Sequence, residues 1–135
     1  MPEAHAGRLF DHVHLRVTEL EATKRFYGAA LAALGHELHE RGQALWFDEL
    51  YITDDGPPTT GLHIAFQAED HDTVNAFYKA ALESGGLDNG APGERAYHPG
   101  YYAAFVLDPD GNNVEAVYHG PIRRSAASVV VSWDE

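Results

Sequence analysis

Two stretches of the chain alternate apolar and polar residues, and they begin alike. In 12–17, Val13, Leu15 and Val17 alternate with His12, His14 and Arg16; in 62–68, Leu62, Ile64, Phe66 and Ala68 alternate with His63, Ala65 and Gln67. A period of two predicts strands with one buried face and one face that is wet or lines a cavity. Each strand runs into a helical pattern. In the first, Leu20, Tyr27, Leu31 and Leu34 lie along one side, Thr18 and Glu21 have capping-box spacing, and Gly35 is placed to end the helix. In the second, Val74, Phe77, Tyr78 and Ala81 follow the i, i+3, i+4, i+7 rule, with Asp70 as the cap and Gly85-Gly86 as the stop.

Returning strands follow each helix. Residues 36–40 and 44–53 read as a hairpin that turns at Arg41-Gly42 and breaks near Asp48-Glu49, and Gly56-Pro57-Pro58 reads as a linker. In the second half, 101–107 and 114–118 read as strands joined by the turn Asp108-Pro109-Asp110-Gly111, with proline at its second position. The chain therefore reads as a strand, a helix and two or three further strands, twice over. A shift of 51 residues superposes the halves: His12 falls on His63, Phe26-Tyr27 on Phe77-Tyr78, Ala29-Ala30-Leu31 on Ala80-Ala81-Leu82, and Gly35 on Gly86. That is seven identities over 24 ungapped positions, which marks an internal repeat. Two lookalike amphipathic helices would explain the helical matches but not the paired histidines. The second copy is longer. Gly35 to Glu49 spans 14 residues and Gly86 to Glu115 spans 29, the excess falling at 85–100, which holds five Gly, two Pro, Tyr97 and His98. It reads as a long loop with a lid or pocket-wall role.

Composition narrows the class. With 135 residues the chain suits one compact domain of two small halves. The net charge of −12 disfavours nucleic acid and anionic membrane surfaces as partners, because such affinity comes largely from phosphate neutralisation. No apolar run nears the roughly 20 residues of a membrane span, and the N-terminus lacks the pattern of a secretory signal. Cysteine is absent, so disulfides, thiolate metal sites and a Cys nucleophile are excluded, and a reducing cytoplasm is the expected location.

Nine histidines in so short a chain point to chemistry. His12 and His63 occupy matched places, and a pseudo-twofold axis between the copies would bring the two imidazoles toward each other. Two neutral imidazoles and a carboxylate suit a divalent metal with sites left open. Glu115, between Val114 and Ala116 in an otherwise apolar strand, is the expected third ligand, since a carboxylate there costs desolvation unless paired or metal-bound. His14 and Arg16 share the His12 face. His14 is placed to donate to a substrate oxygen, and Arg16 to receive an anionic group or to form a salt bridge. Tyr97, His98, Tyr101 and Tyr102 are the expected substrate wall. His36-Glu37-Leu38-His39 is not the helical His-Glu-x-x-His of zinc proteases, because its second His comes one residue early.

The segments Asp11 to Thr18 (DHVHLRVT), Phe26-Tyr27 through Leu34-Gly35, Gly61 to Ala65 (GLHIA) and Asp108 to Glu115 (DPDGNNVE) resemble the vicinal oxygen chelate superfamily. That superfamily takes in glyoxalase I, extradiol dioxygenases, fosfomycin-resistance transferases and bleomycin-binding proteins. The resemblance covers about 9–120 and implies an α+β fold of two tandem βαβββ modules, about 9–56 and 60–120, around a metal-binding cleft. The 1–135 chain is then a single domain with a C-terminal extension, 121–135. The resemblance assigns the metal to His12, His63 and Glu115, and puts a fourth ligand of glyoxalase I near Glu49, which otherwise reads as a solvated turn residue. The metal (Zn, Ni, Mn or Fe) is not specified.

A metal with open sites polarises a carbonyl and stabilises an enolate or enediolate as its charge develops, and a nearby carboxylate such as Glu115 can move the proton. This fits a glyoxalase-type lyase or isomerase acting on a small molecule. Two alternatives stand beside it: an Fe(II) ring-cleaving dioxygenase, and a bleomycin-resistance-type protein that sequesters its ligand in an aromatic cleft, for which Trp46, Tyr51, Tyr97, Tyr101 and Tyr102 are available. The superfamily also implies a homodimer. Val129-Val130-Val131 and Trp133 do not suit a free tail and are expected to dock on the partner or on a sheet edge.

Overall fold

The computed structural model describes residues 2–134. Ten elements follow in order: β1 (Val13–Arg16), α1 (Leu20–Ala32), β2 (His39–Arg41), β3 (Ala44–Phe47), β4 (Leu50–Thr53), β5 (His63–Gln67), α2 (His71–Glu83), β6 (Leu87–Glu94), β7 (Tyr102–Leu107) and β8 (Asn113–Tyr118). They form two four-stranded sheets of identical topology, β1-β4-β3-β2 and β5-β8-β7-β6. In each, the first strand runs parallel to the last, and the remaining pairs are antiparallel. This is the α+β architecture of two βαβββ modules. Among the described residues, no helix is long and apolar enough to cross a membrane.

The break at Asp48-Glu49 is present as the turn between β3 and β4, with Asp48 at φ 45°. Asp70 caps α2 as its composition implies, accepting from the Thr73 backbone N–H at 2.7 Å. The capping box of α1 does not form. Glu19 is the N-cap and makes no side-chain cap bond, while the Thr18 backbone N–H and hydroxyl both donate to Asp110, in the other module. A tertiary acceptor has outcompeted the local one.

The 85–100 stretch is also not the long loop its composition suggests. Residues 87–94 are β6, the counterpart of β2, and only a short turn at 95–101 remains, closed by Arg95 N–H to Tyr101 O at 2.9 Å. Gly90, Pro92 and Gly93 give β6 little strand propensity. Pairing with β7, through two shifts of register, is what holds it. The repeat also slips by one residue at the helix ends. The closing bond is His36 N–H to Leu31 O in one module and Gly86 N–H to Ala81 O in the other, both 2.9 Å. The left-handed glycines are accordingly Gly35 (φ 91°) and Gly85 (φ 103°), rather than Gly35 and Gly86.

Gly86 is required for a different reason. It sits where the modules meet, and a Cβ there would lie 2.5 Å from Val106 Cγ1 and 2.6 Å from Phe26 Cε1. One core spans both modules, with Leu15, Val17, Phe26, Tyr27 and Ile52 from the first and Val74, Phe77, Val106 and Val114 from the second. The turn before β8 locks them together. Asp108 accepts from the buried Tyr27 hydroxyl at 2.6 Å, and Asn112 accepts from Leu62 N–H at 3.0 Å while donating to Thr59 O at 2.9 Å. Residues 121–134 add no strand to either sheet, and Val129, Val130, Val131 and Trp133 are exposed in the single chain.

Gly86→Ala forces a methyl into this packed junction. It should destabilise the fold by about 1–3 kcal/mol, read as a lower urea midpoint at an unchanged slope.

Candidate functional site

Each sheet buries one face against the helices and leaves the other open. On the second sheet the open face carries His63 from β5, Glu115 from β8, and Phe105 and Tyr101 from β7 and the turn before it. Register sets Ala65, Glu115 and Phe105 side by side across three strands, so the long side chains of neighbouring rows converge on Glu115. Glu115 is 1% exposed, and both of its oxygens are engaged. Nε2 of His63 donates to Oε1 at 2.7 Å, and the Tyr101 hydroxyl donates to Oε2. Burial, followed by the bond to Glu115, raises the Tyr101 pKa, so the phenol stays a donor well into the alkaline range. A buried carboxylate in an apolar strand is thus satisfied by one exposed imidazole and one phenol.

Tyr101 is itself braced. Its ring meets those of Tyr97, His98 and His119 edge-on at 4.9–5.3 Å, and Nε2 of His98 lies 2.9 Å from Nδ1 of His119. His119 was not singled out by the motifs, although Glu115, Val117 and His119 share one strand face by the period of two. Tyr102 leaves the expected wall. As the next residue along, it points to the helix side, where it stacks on His71 and donates to Asn75 Oδ1 at 2.7 Å.

The open face of the first sheet is built differently. His12, just before β1, is exposed and bonds Asp11 at 2.6 Å. It lines a groove of about 550 Å³ with Arg41, Trp46, Asp48, Glu49 and Tyr51. His14 does not offer a free donor: its Nε2 donates to Thr53 Oγ1 at 2.7 Å, and the Thr53 hydroxyl donates onward to Asp55. Arg16 takes the salt-bridge option. Its Nε donates to Asp55 O at 2.9 Å and lies 3.7 Å from that residue's carboxylate. Register also settles which residue of this sheet matches Glu115. Glu115 pairs with Ala65, two residues after His63, whereas two residues after His12 stands His14, whose partner is Tyr51. The matching position is therefore Tyr51, and Glu49 is an exposed turn residue two places earlier.

Of the three expected metal ligands, the chain brings His63 and Glu115 together and leaves His12 on the other module. Among the described residues, no group of three or more His, Asp or Glu side chains is close enough to hold a metal ion. The convergence expected from a pseudo-twofold axis does not occur within one chain, because the modules meet through α1 and α2 and not along β1 and β5. The donor chemistry of the pair still fits a divalent ion. One proton bridges His63 Nε2 and Glu115 Oε1, the two atoms that would ligate it, and metal binding would displace that proton.

Residues 9–116 match the family model of the Glyoxalase/Bleomycin resistance protein/Dioxygenase superfamily, and the chain belongs to that superfamily. A solved glyoxalase/bleomycin resistance protein from Albidiferax ferrireducens T118 is 30% identical, with a TM-score of 0.71 over 81% of this chain and 97% of that one. A glyoxalase-related enzyme from Fulvimarina pelagi shares the fold at 19% identity, with a TM-score of 0.69 over 95% and 99%. Lactoylglutathione lyase from Agrobacterium tumefaciens does so at 21% identity, with a TM-score of 0.60 over 83% and 94%. No curated protein matches the chain.

Tyr101→Phe removes a donor from a buried carboxylate. It should cost about 1–3 kcal/mol of stability, measured by urea unfolding.

Proposed function

We propose that the protein is a metal-dependent enzyme of the glyoxalase type, acting on a small molecule with two neighbouring oxygens. In this reading His63 and Glu115 of one chain and His12 of a second chain hold the ion, and the working unit is a homodimer. The observation that carries it is the proton-bridged His63–Glu115 pair on an uncovered sheet face, with His12 at the matching place on the other uncovered face. Each chain then contributes an incomplete half-site, and a twofold assembly completes two. The ion would supply Lewis acidity to a substrate carbonyl. The chain's own residues do the rest. Tyr101 fixes the Glu115 carboxylate through Oε2, the oxygen at which a proton can be exchanged, and Tyr97 and His98 wall the face. The exposed Val129–Val131 and Trp133 support a tail that packs on the partner.

Titration calorimetry with Zn(II), Ni(II) and Mn(II) tests the ligand set. His12→Ala, His63→Ala and Glu115→Gln should each weaken binding by at least about tenfold to a hundredfold, the scale on which metal sites respond to lost support. Parent-like binding by all three removes the assignment. Protein purified without added ions should retain stoichiometric metal; a metal-free protein that still binds its ligand tightly is the result expected of a sequestering protein instead.

Mixing the His12→Ala and Glu115→Gln variants tests sharing between chains. With random exchange of subunits, half of the dimers are mixed and each carries one intact site, so about a quarter of the sites should return. No recovery means that the three ligands act within one chain. Truncation after Pro121 should weaken the dimer in sedimentation, and an unchanged dimer removes the tail from assembly.

A further inference from the structure

Strand β6 carries two glycines on the open face of the second sheet, and glycine inside a strand marks a close approach. What approaches is Arg95. A Cβ at Gly90 would lie 3.0 Å from Phe105 Cδ2 and 3.3 Å from Arg95 Nη2, and one at Gly93 would lie 3.2 Å from Arg95 Nη1. The arginine side chain therefore lies flat across a floor cleared of side chains. Its guanidinium rests over the Phe105 ring, 5.2 Å from the centroid. Phe105 in turn stands 6.0 Å, ring to ring, from His63 and is the cross-strand neighbour of Glu115.

Among the described residues this cation has no carboxylate partner. The ion pairs of arginine and lysine among the described residues are Arg16–Asp55 and Lys24–Glu40. Arg95 spends two N–H groups on the backbone carbonyls of Ala91, at 2.8 Å, and Glu94, at 3.3 Å, which fix its orientation. Of the five donors of a guanidinium, three remain. In a chain with a net charge of −12, a pre-oriented, partly buried and unpaired arginine is set apart from the rest of the surface. Its field also reaches Tyr101, whose pKa it pulls downward against the larger raising effect of burial.

We propose that Arg95 is an anion-binding residue for the ligand of this face, receiving a carboxylate carried about one aromatic ring away from two neighbouring oxygens seated at the His63–Glu115 end of the face. The inference rests on the functional reading above and narrows its substrate class to small acids of that shape. Arg95 acts by charge-assisted hydrogen bonds, and Gly90 and Gly93 act by leaving it room.

The test uses the full chain and two probes of similar size under anaerobic conditions. 3,4-Dihydroxybenzoate carries the carboxylate, and 4-methylcatechol is its neutral counterpart. Calorimetry is run on parent, Arg95→Gln and Arg95→Lys, each with and without Zn(II). The expected result is that Arg95→Gln loses at least about tenfold in affinity for the acid, while its affinities for 4-methylcatechol and for zinc are unchanged, and that Arg95→Lys recovers part of the loss. Equal affinity of parent and Arg95→Gln for the acid overturns the proposal. So does an equal loss of both probes, which is what a merely structural Arg95 would give. A parent that binds neither probe overturns it as well. If the parent binds no zinc but still prefers the acid through Arg95, the anion site stands and the metal reading falls; zinc binding without a preference for the acid gives the reverse.

Discussion

Asp108 sits 4% exposed in the turn before β8, and side-chain hydrogen bonds that tie the second module to the first pass through that turn. Its carboxylate accepts the Tyr27 hydroxyl from the first module and the backbone N–H groups of Asp110 and Asn112 from its own turn, the latter two at 2.9 Å. Asn112, wholly buried, holds the start of β5 through Leu62 and the linker through Thr59. Thr18, at the entry to α1, is taken by Asp110. A charged group this deep is tolerated because each of its oxygens is hydrogen-bonded. The same contacts fix where β8 begins, and hence the register that sets Glu115 beside Phe105 and within reach of His63.

That coupling explains why the DPDGNNVE segment reads as a signature. Asn113 and Glu115, two apart in β8, share its open face. The others build a turn, with Gly111 at φ 83°, and a clamp between modules that share little other polar contact. The segment is a positioning device: its turn and its inter-module bonds hold Glu115 in place on the sheet.

The two open faces have diverged although their topology is the same. The first holds Tyr51 where the second holds Glu115, and its polar side chains are tied to one another in the chain His14, Thr53, Asp55, Arg16. The second gathers a buried carboxylate, three imidazoles, two phenols and an unpaired arginine. The repeat supplies the scaffold twice with different polar clusters on the two open faces, and His12 stands exposed on the first.

The repeat, the two strand-helix units, the turn at Asp108 and the pairing of His63 with Glu115 were legible in the residues, because period, spacing and the cost of a carboxylate in an apolar strand are local properties. Other features were not local. β6 exists because β7 offers it a hydrogen-bonding edge, against its own glycine-rich composition. Thr18 left the capping box of α1 for Asp110, 92 residues away. Tyr102 is a different case: alternation along a strand by itself sends it to the face opposite Tyr101. Arg95 gave no signal in a segment that reads as loop. The separation of His12 from His63 was decided by how the modules pack, through buried helix faces in one core. The sequence by itself determined two like modules and the residues each presents. Tertiary structure alone decided which of those residues meet, since packing and cross-strand pairing between distant segments outweigh any preference a residue carries locally.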